Sequence, residues 1–297
     1  MNITALIVTY NRLEKLQKSV KATLELPFTH IVIVNNDSSD GTQLWLDQIT
    51  DPRVCVLSTQ CNIGGAGGFK YGVEYIIAQL PCDWVALYDD DAWPAKDFIH
   101  EIQRHDNGGV DALCSQVLDI DQNICAMNVP WKKVPRTLKE NIQYLTDKKD
   151  FIVNQHQSEQ VVTFSFVGCV IKYDVLINTY RYIVSDLFIY FDDVYYSYQL
   201  HRDGFILKYE PALIFYHDID TRSVGKMPDW KVYYMIRNML RSFYILKGNN
   251  FFTAPAVLLR MVKYMYMAGK SHNKKKYFKY YFKGVLDGVR NIGGNKH

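Results

Sequence analysis

Three consecutive carboxylates, Asp89-Asp90-Asp91, end an apolar run of strand length, Trp84-Val85-Ala86-Leu87-Tyr88. Adjacent aspartates repel one another unless a cation sits among them. The carboxyl end of a strand is also a natural place for a hard, oxygen-seeking metal and the phosphate it attracts. The same triplet would serve as a solvated turn or a helix cap, so by itself it leaves both readings open. A second pair, Asp192-Asp193, follows the apolar segment Leu187-Phe188-Ile189-Tyr190-Phe191 and opens a helical pattern that Gly204 closes. Such a pair can simply complement the helix dipole. In aromatic surroundings its members can also differ in pKa, and one can act as a general base. His217 ends the run Leu213-Ile214-Phe215-Tyr216, where an imidazole either packs structurally or completes a carboxylate metal site. Gly64, Gly65, Gly67 and Gly68 open a further helical pattern, as a close backbone approach to a diphosphate or a tightly packed turn would require. The spacing is not the G-x-G-x-x-G of dinucleotide sites. It also lacks the Lys-Ser/Thr of a P-loop, which argues against ATP hydrolysis.

These residues need a scaffold, and the hydrophobic pattern supplies one. Residues 3–9 and 31–34 are near-continuous apolar runs, as expected of parallel strands buried on both faces. Between them Leu13, Leu16, Val20 and Leu24 recur at helical spacing until Pro27. A polar, turn-rich stretch at 35–42 and a third strand around 54–57 precede the glycine cluster. The pattern predicts an α/β fold with a mostly parallel sheet flanked by helices, its loops at the strand ends. Pro94 is expected to start a helix through about residue 104, and 110–117 to form another strand. Residues 119–160, polar and charge-rich with Trp131 among them, read as an insertion or the acceptor-side part of the domain. A β-like run over 161–172 is interrupted by Gly168.

At 297 residues, with 48% hydrophobic and 22% charged residues, the chain can bury a sizeable core, which excludes wholesale disorder. Its 22 tyrosines suit surfaces that are half apolar and half wet, such as sugar sites and membrane interfaces. The six cysteines form no C-x-x-C pair and read as reduced residues of a cytosolic protein. No basic leader precedes the first strand, and no uncharged apolar run is long enough to span a bilayer. Net charge is +3, yet residues 255–297 hold ten Lys or Arg against the single acid Asp287, so the tail carries +9 and the remainder −6. Thr253 and Pro255 open one tail helix. After Lys274-Lys275-Lys276 a second sets Phe278, Phe282, Val285 and Val289 on one face and Lys276, Lys279, Lys283 and Arg290 on the other. Such a helix either lies on an anionic membrane surface or packs on the body of the protein with a solvated basic face. No nucleic-acid reader motif accompanies the charge.

Taken in order, Ile7-Val8-Thr9-Tyr10-Asn11-Arg12, the stretch 34–42, the glycine motif with Asp89-Asp90-Asp91, and Phe191-Asp192-Asp193 with His217 make a set that resembles family 2 inverting glycosyltransferases of the GT-A fold. Within that family the chain is similar to the bacterial galactofuranosyltransferases. The resemblance covers about residues 3–241. It implies a GT-A catalytic domain over 1–241, divided into a nucleotide-sugar half (1–118) and an acceptor half (119–241), with a helical basic region over 242–297. It implies that Thr9, Tyr10 and Asn36 line the uracil and ribose pocket. Asp89 and Asp91, with His217, would hold Mn²⁺ or Mg²⁺, Asp89 would also contact the ribose of the donor, and Asp193 would be the catalytic base. Arg12, Gly65, Gly67, Gly68, Asp90, Trp93 and Asp192 complete the expected substrate-binding set. The implied reaction moves galactofuranose from UDP-galactofuranose to a lipid-linked glycan of a bacterial surface polysaccharide, O-antigen or capsule. It would take place in the cytoplasm or on the inner face of the plasma membrane. A rhamnosyltransferase using dTDP-rhamnose, or a nucleotide-sugar-binding module without catalysis, are the alternatives. Relatives often carry aspartate where Asn35 stands, and Glu and Arg at the positions of Tyr195 and Gln199. Those two positions leave the acceptor preference open.

Overall fold

The computed structural model describes residues 1–105, 109–219 and 228–296. Strand β1 (Ile3–Thr9) is seven buried residues with no polar face, so it needs neighbours on both edges and cover on both sides. It pairs in parallel with β2 (His30–Asn35) and β4 (Trp84–Asp89), and β2 pairs in parallel with β3 (Val54–Ser58). Helices α1 (Leu13–Leu24), α2 (Thr42–Leu46) and α3 (Gly64–Gln79) make the connections. Alternate residues of β1 serve opposite faces: Ile3, Ala5 and Ile7 enter one apolar core, while Leu6 and Val8 enter the other.

The second half of the sheet is mixed. It contains β5 (Ala92–Pro94), β6 (Ala112–Leu118), β7 (Glu159–Gln160), β8 (Cys169–Lys172) and β9 (Leu207–His217), and the strand order is β3-β2-β1-β4-β8-β6-β9-β5 with β7 beside β9. Helices α4 (Phe98–His105), α5 (Leu138–Thr146), α6 (Tyr173–Thr179) and α7 (Asp192–Arg202) decorate it. A third core joins α7 to α8 (Lys231–Ile245), α9 (Ala254–Met267) and α10 (Lys274–Val289).

Four sequence expectations change. Pro94 does not start a helix: Ala92-Trp93-Pro94 pairs antiparallel with Phe215-Tyr216-His217, and the helix begins at Phe98. The loose segment 119–160 contains α5, opened by a reciprocal capping box between Thr137 and Glu140, a T-x-x-E signal that was present in the sequence. The boundary drawn at 241 falls inside α8. The tail helix α10 packs on α8 through Gly284 and Gly288 and reaches α9 through Tyr277 and Tyr281, while its phenylalanine and valine stripe is split, Phe278 and Val285 half-buried against the same core and Phe282 and Val289 outside it. A Cβ at Gly284 would stand 2.7 Å from the Tyr233 carbonyl oxygen, so glycine is what lets the two helices meet. Phe282, Leu286 and Val289 stay exposed.

Candidate active site

Parallel pairing places the carboxyl ends of β1 and β4 side by side, with Val8 opposite Asp89. Asp90 then turns back over β1: Thr9 Oγ1 donates to it at 2.8 Å and the Tyr10 amide at 3.2 Å. Antiparallel pairing of Ala92 with His217 brings that histidine to Asp91. Asp91 accepts from His217 Nε2 at 3.1 Å and from Arg12 Nη1 at 2.6 Å, with Lys15 Nζ at 3.7 Å. The three aspartates therefore differ sharply. Burial, with Asp91 and Asp90 nearby, pushes Asp89 up to about 7. Burial pushes Asp90 up to about 6 against the pull of Arg12. Burial also presses on Asp91, but its hydrogen bond to His217 and the charges of His217, Arg12 and Lys15 hold it below the usual range. Lys231 lies close enough to feel both Arg12 and Asp91.

The second carboxylate pair is delivered by an unusual backbone. Phe188, Tyr190 and Phe191 have φ of 69°, 64° and 69°, a region costly for aromatic side chains. Two neighbours on α8 hold that turn. Asn238 Nδ2 donates to the carbonyls of Leu187, Ile189 and Tyr190, and buried Arg237 donates to those of Asp186, Leu187 and Gly294. Arg237 also lies over the rings of Tyr233 and Tyr234. The turn leaves Asp192 buried and Asp193 half-buried at the start of α7. Burial, then the proximity of Asp193, raises Asp192 well above the carboxylate range. Asp193 is raised by burial as well, while the amides of Val194 and Phe166 and the hydroxyl of Ser165 favour its charged form. Beside it opens a cavity of about 260 Å³ lined by Asn128, Trp131, Tyr144, Lys148 and Ser165.

The glycine motif serves packing. A Cβ at Gly68 would stand 2.5 Å from the Val8 side chain, and one at Gly67 2.8 Å from Ile63. A Cβ at Gly64, which has φ +77°, would run into the Phe188 carbonyl oxygen, so the turn that carries Asp193 rests directly on the start of α3. Only Gly65 of the three expected substrate contacts faces open space. Asn36 is likewise committed to the protein: it donates to Asn62 Oδ1 and to the Gly64 carbonyl, and accepts from the Ile63 amide and Thr59 Oγ1. Thr9 is taken by Asp90, whereas Tyr10 remains exposed. Trp93 does not join the cluster; its ring lies tilted beside Tyr216 and lines a separate hollow with Ala22, Glu25 and Leu26. Tyr195, expected near the acceptor, is fully buried and donates to the Asn238 carbonyl.

Among the described residues no three His, Cys, Asp or Glu groups gather as a metal cage. Asp91 and His217 are donors of the right kind and they touch, but Asp89 does not join them. Asn128 adds a constraint. Its Nδ2 donates to Ser165 Oγ at 2.9 Å, so its carbonyl faces His217 Nδ1 at 3.1 Å. With Asp91 accepting at Nε2, both ring nitrogens are donors. Burial opposes the charged imidazolium, yet the bond to Asp91 prevails and raises His217 to about 9. This arrangement favours the imidazolium, so for His217 and Asp91 to hold a metal the Nε2 proton would have to leave and Arg12 to move off Asp91. Sequence reasoning missed Asn128, Ser165, Lys15, Lys231 and Asn238.

The family model for glycosyl transferase family 2 matches residues 4–176. The chain belongs to that family. Galactofuranosyltransferase GlfT1 of Mycolicibacterium smegmatis is 34% identical over 95 residues, 31% of each chain. Galactofuranosyltransferase GlfT1 of Mycobacterium tuberculosis is 35% identical over 94 residues, 30% of each chain. The matched stretch thus spans about a third of these relatives. GT-A structures share the fold: GalNAc-T7 with UDP, GalNAc and Mn²⁺ superimposes with a TM-score of 0.61 at 11% identity, over 98% of this chain and 56% of that one. The mannosyltransferase PcManGT from Pyrobaculum calidifontis, with GDP-Man and Mn²⁺, gives 0.58 at 12% identity, over 98% and 87%. This family 2 member therefore has a GT-A sheet, with C-terminal helices packed against α7.

Proposed function

We propose that the chain is an inverting galactofuranosyltransferase that moves galactofuranose from UDP-galactofuranose to a lipid-linked glycan of a bacterial surface polysaccharide. The observation that carries the reading is the placement of Asp193. It stands at the head of α7 next to Asp192, which feels the charge of Asp89 at the end of β4, with a cavity of about 260 Å³ beside it for an acceptor sugar. Asp193 accepts the proton of the acceptor hydroxyl as that oxygen bonds to the anomeric carbon, and the bond to the UDP oxygen breaks on the opposite face, so configuration inverts. Tyr10 and the loop after β1 receive the base and ribose. Arg12, Lys15 and Lys231 receive the diphosphate charge, and Asp91 with His217 would hold a divalent cation, Mn²⁺ or Mg²⁺. When bound, that ion would neutralise charge on the departing diphosphate.

The tail supports a place at the membrane. No helix among the described residues is long and apolar enough to cross a bilayer. However, exposed Leu258, Val262 and Tyr266 on α9, and Phe282, Leu286 and Val289 on α10, lie beside a lysine-rich rim, which fits an anionic lipid surface.

The deciding experiment is a donor screen against a synthetic galactose-terminated acceptor, with the product linkage read by NMR. Transfer from dTDP-rhamnose without transfer from UDP-galactofuranose would sink the donor assignment, and no transfer from any donor would leave only a binding module.

A further inference from the structure

Between α5 and α9 runs an open groove of about 350 Å³, apolar along most of its length. Leu145, Leu259 and Val262 line it and Tyr266, 82% exposed, stands at its rim. On the α5 side Leu138, Ile142 and Leu145 form an exposed stripe at helical spacing, and Leu258 and Val262 answer from α9. Tyr144 lines both this groove and the cavity beside Asp193, so the two adjoin at that side chain.

Where the two meet, three cations gather without a counter-ion. Arg260 and Lys263 line the groove and Lys148 lines the cavity. The Arg260 guanidinium lies 3.9 Å over the Phe252 ring, and its Nε is buried with no hydrogen-bond partner. Lys148 sits 5.6 Å from the Tyr144 ring centre. Among the described residues no carboxylate pairs with any of the three. Lys263 is depressed by burial and then by the charges of Arg260 and Lys148, which places all three within mutual reach. Burial likewise lowers Arg260. Arg260 is partly desolvated and its Nε unpaired, with two exposed lysines beside it, and such a guanidinium is stabilised when an anion completes the site.

We propose that Arg260, Lys263 and Lys148 bind the phosphate or diphosphate of an amphiphilic acceptor, whose hydrocarbon chain lies in the α5–α9 groove and whose sugar enters the cavity at Asp193. The proposal rests on the glycosyl-transfer reading for the identity of the sugar end; the anionic-amphiphile site itself does not. The geometry has one consequence for order along the ligand: lipid at the exposed helices, phosphate at the cations, sugar at the base.

The test is binding of farnesyl diphosphate to the full chain in non-ionic micelles by calorimetry, with farnesol and inorganic diphosphate as comparisons. Farnesyl diphosphate should bind at least tenfold more tightly than either. Arg260→Gln and Lys263→Gln should each weaken it about tenfold, and Arg260→Lys should restore most of it. Because Arg260 packs on Phe252, exposed Lys263 gives the informative variant if Arg260→Gln fails to fold. Equal affinity for farnesol, or unchanged affinity in Lys263→Gln and Lys148→Gln, overturns the proposal. So does a result in which the variants lose sedimentation with phosphatidylglycerol vesicles while farnesyl diphosphate fails to bind in neutral micelles, because the cations would then serve the bulk membrane. In turnover, the KM for a diphosphate-lipid acceptor relative to a methyl glycoside acceptor should rise at least tenfold in Lys263→Gln. Binding without transfer from any donor would remove the glycosyl-transfer reading and keep the site.

Discussion

At the scale of single residues, the site is decided by how unlike its carboxylates are. Asp91 is held charged by His217, Arg12 and Lys15, Asp90 is spent on Thr9 and the Tyr10 amide, and Asp193 is raised by burial while facing an open cavity. Asp89 is also half-buried and raised, but only Asp193 lines the cavity, so it alone combines a raised pKa with room for an acceptor, which is what a general base needs. Asp193→Asn should keep UDP affinity and lower turnover by about 10²–10⁴-fold, the usual contribution of a general base; steady-state kinetics beside a UDP titration checks both halves. The sign of the pH effect follows from the raised carboxyl: the base works only when deprotonated, so kcat/KM should fall as pH drops. Its acid limb should lie above the ordinary aspartate value of about 3.9. A limb at or below that value would mean that Asp193 is not the titrating group. Asn128→Ala should leave His217 without its second acceptor and Ser165 without its donor, and we expect about a tenfold loss in kcat/KM, as for other outer-shell partners.

At the scale of elements, the turn at 187–191 is the joint on which the two halves of the site meet. Three aromatic or apolar residues with positive φ store strain, and α8 and the start of α3 hold them there. Asn238→Ala leaves three carbonyls short of a donor. Destabilisation of about 1–3 kcal/mol is expected, read as a lower urea midpoint, together with a fall in kcat larger than any rise in the donor KM. Gly64→Ala should be worse than Ala at Gly65, since the first would drive a methyl into the Phe188 carbonyl and the second meets open space. Unequal melting temperatures in that order would confirm that the motif is a docking seat for the turn. Equal ones would return it to the diphosphate.

At the scale of the whole molecule, the tail is part of the body and also an outer face. Tyr233 donates to buried Asp287, and Tyr277 and Tyr281 reach back to carbonyls on α9, so removing α10 would expose the aromatic core around α8. Truncation is therefore a poor test of membrane binding. Phe282→Glu with Val289→Glu is a better one, because both side chains are exposed at 59% and 57%. The double variant should keep its melting temperature and lose most of its sedimentation with anionic vesicles, whereas neutral vesicles should recover little of either protein. Undiminished sedimentation would mean that this stripe does not face lipid.

The sequence by itself determined the strands that bury both faces and the carboxyl ends where chemistry collects, because hydrophobic period and turn chemistry are local signals; the choice of Asp193 as candidate base came from the family resemblance. It could not decide which glycines meet a ligand and which meet Val8 or Phe188, nor that Asn36 and Thr9 are spent on the protein. It could not tell that Trp93 turns away with β5, or that α10 packs through its tyrosines and glycines. Those outcomes depend on partners distant in the chain, such as His217 with Asp91 and Asn238 with the turn at 187–191. Long-range pairing and the satisfaction of buried polar groups settle them, and neither leaves a periodic mark in the sequence.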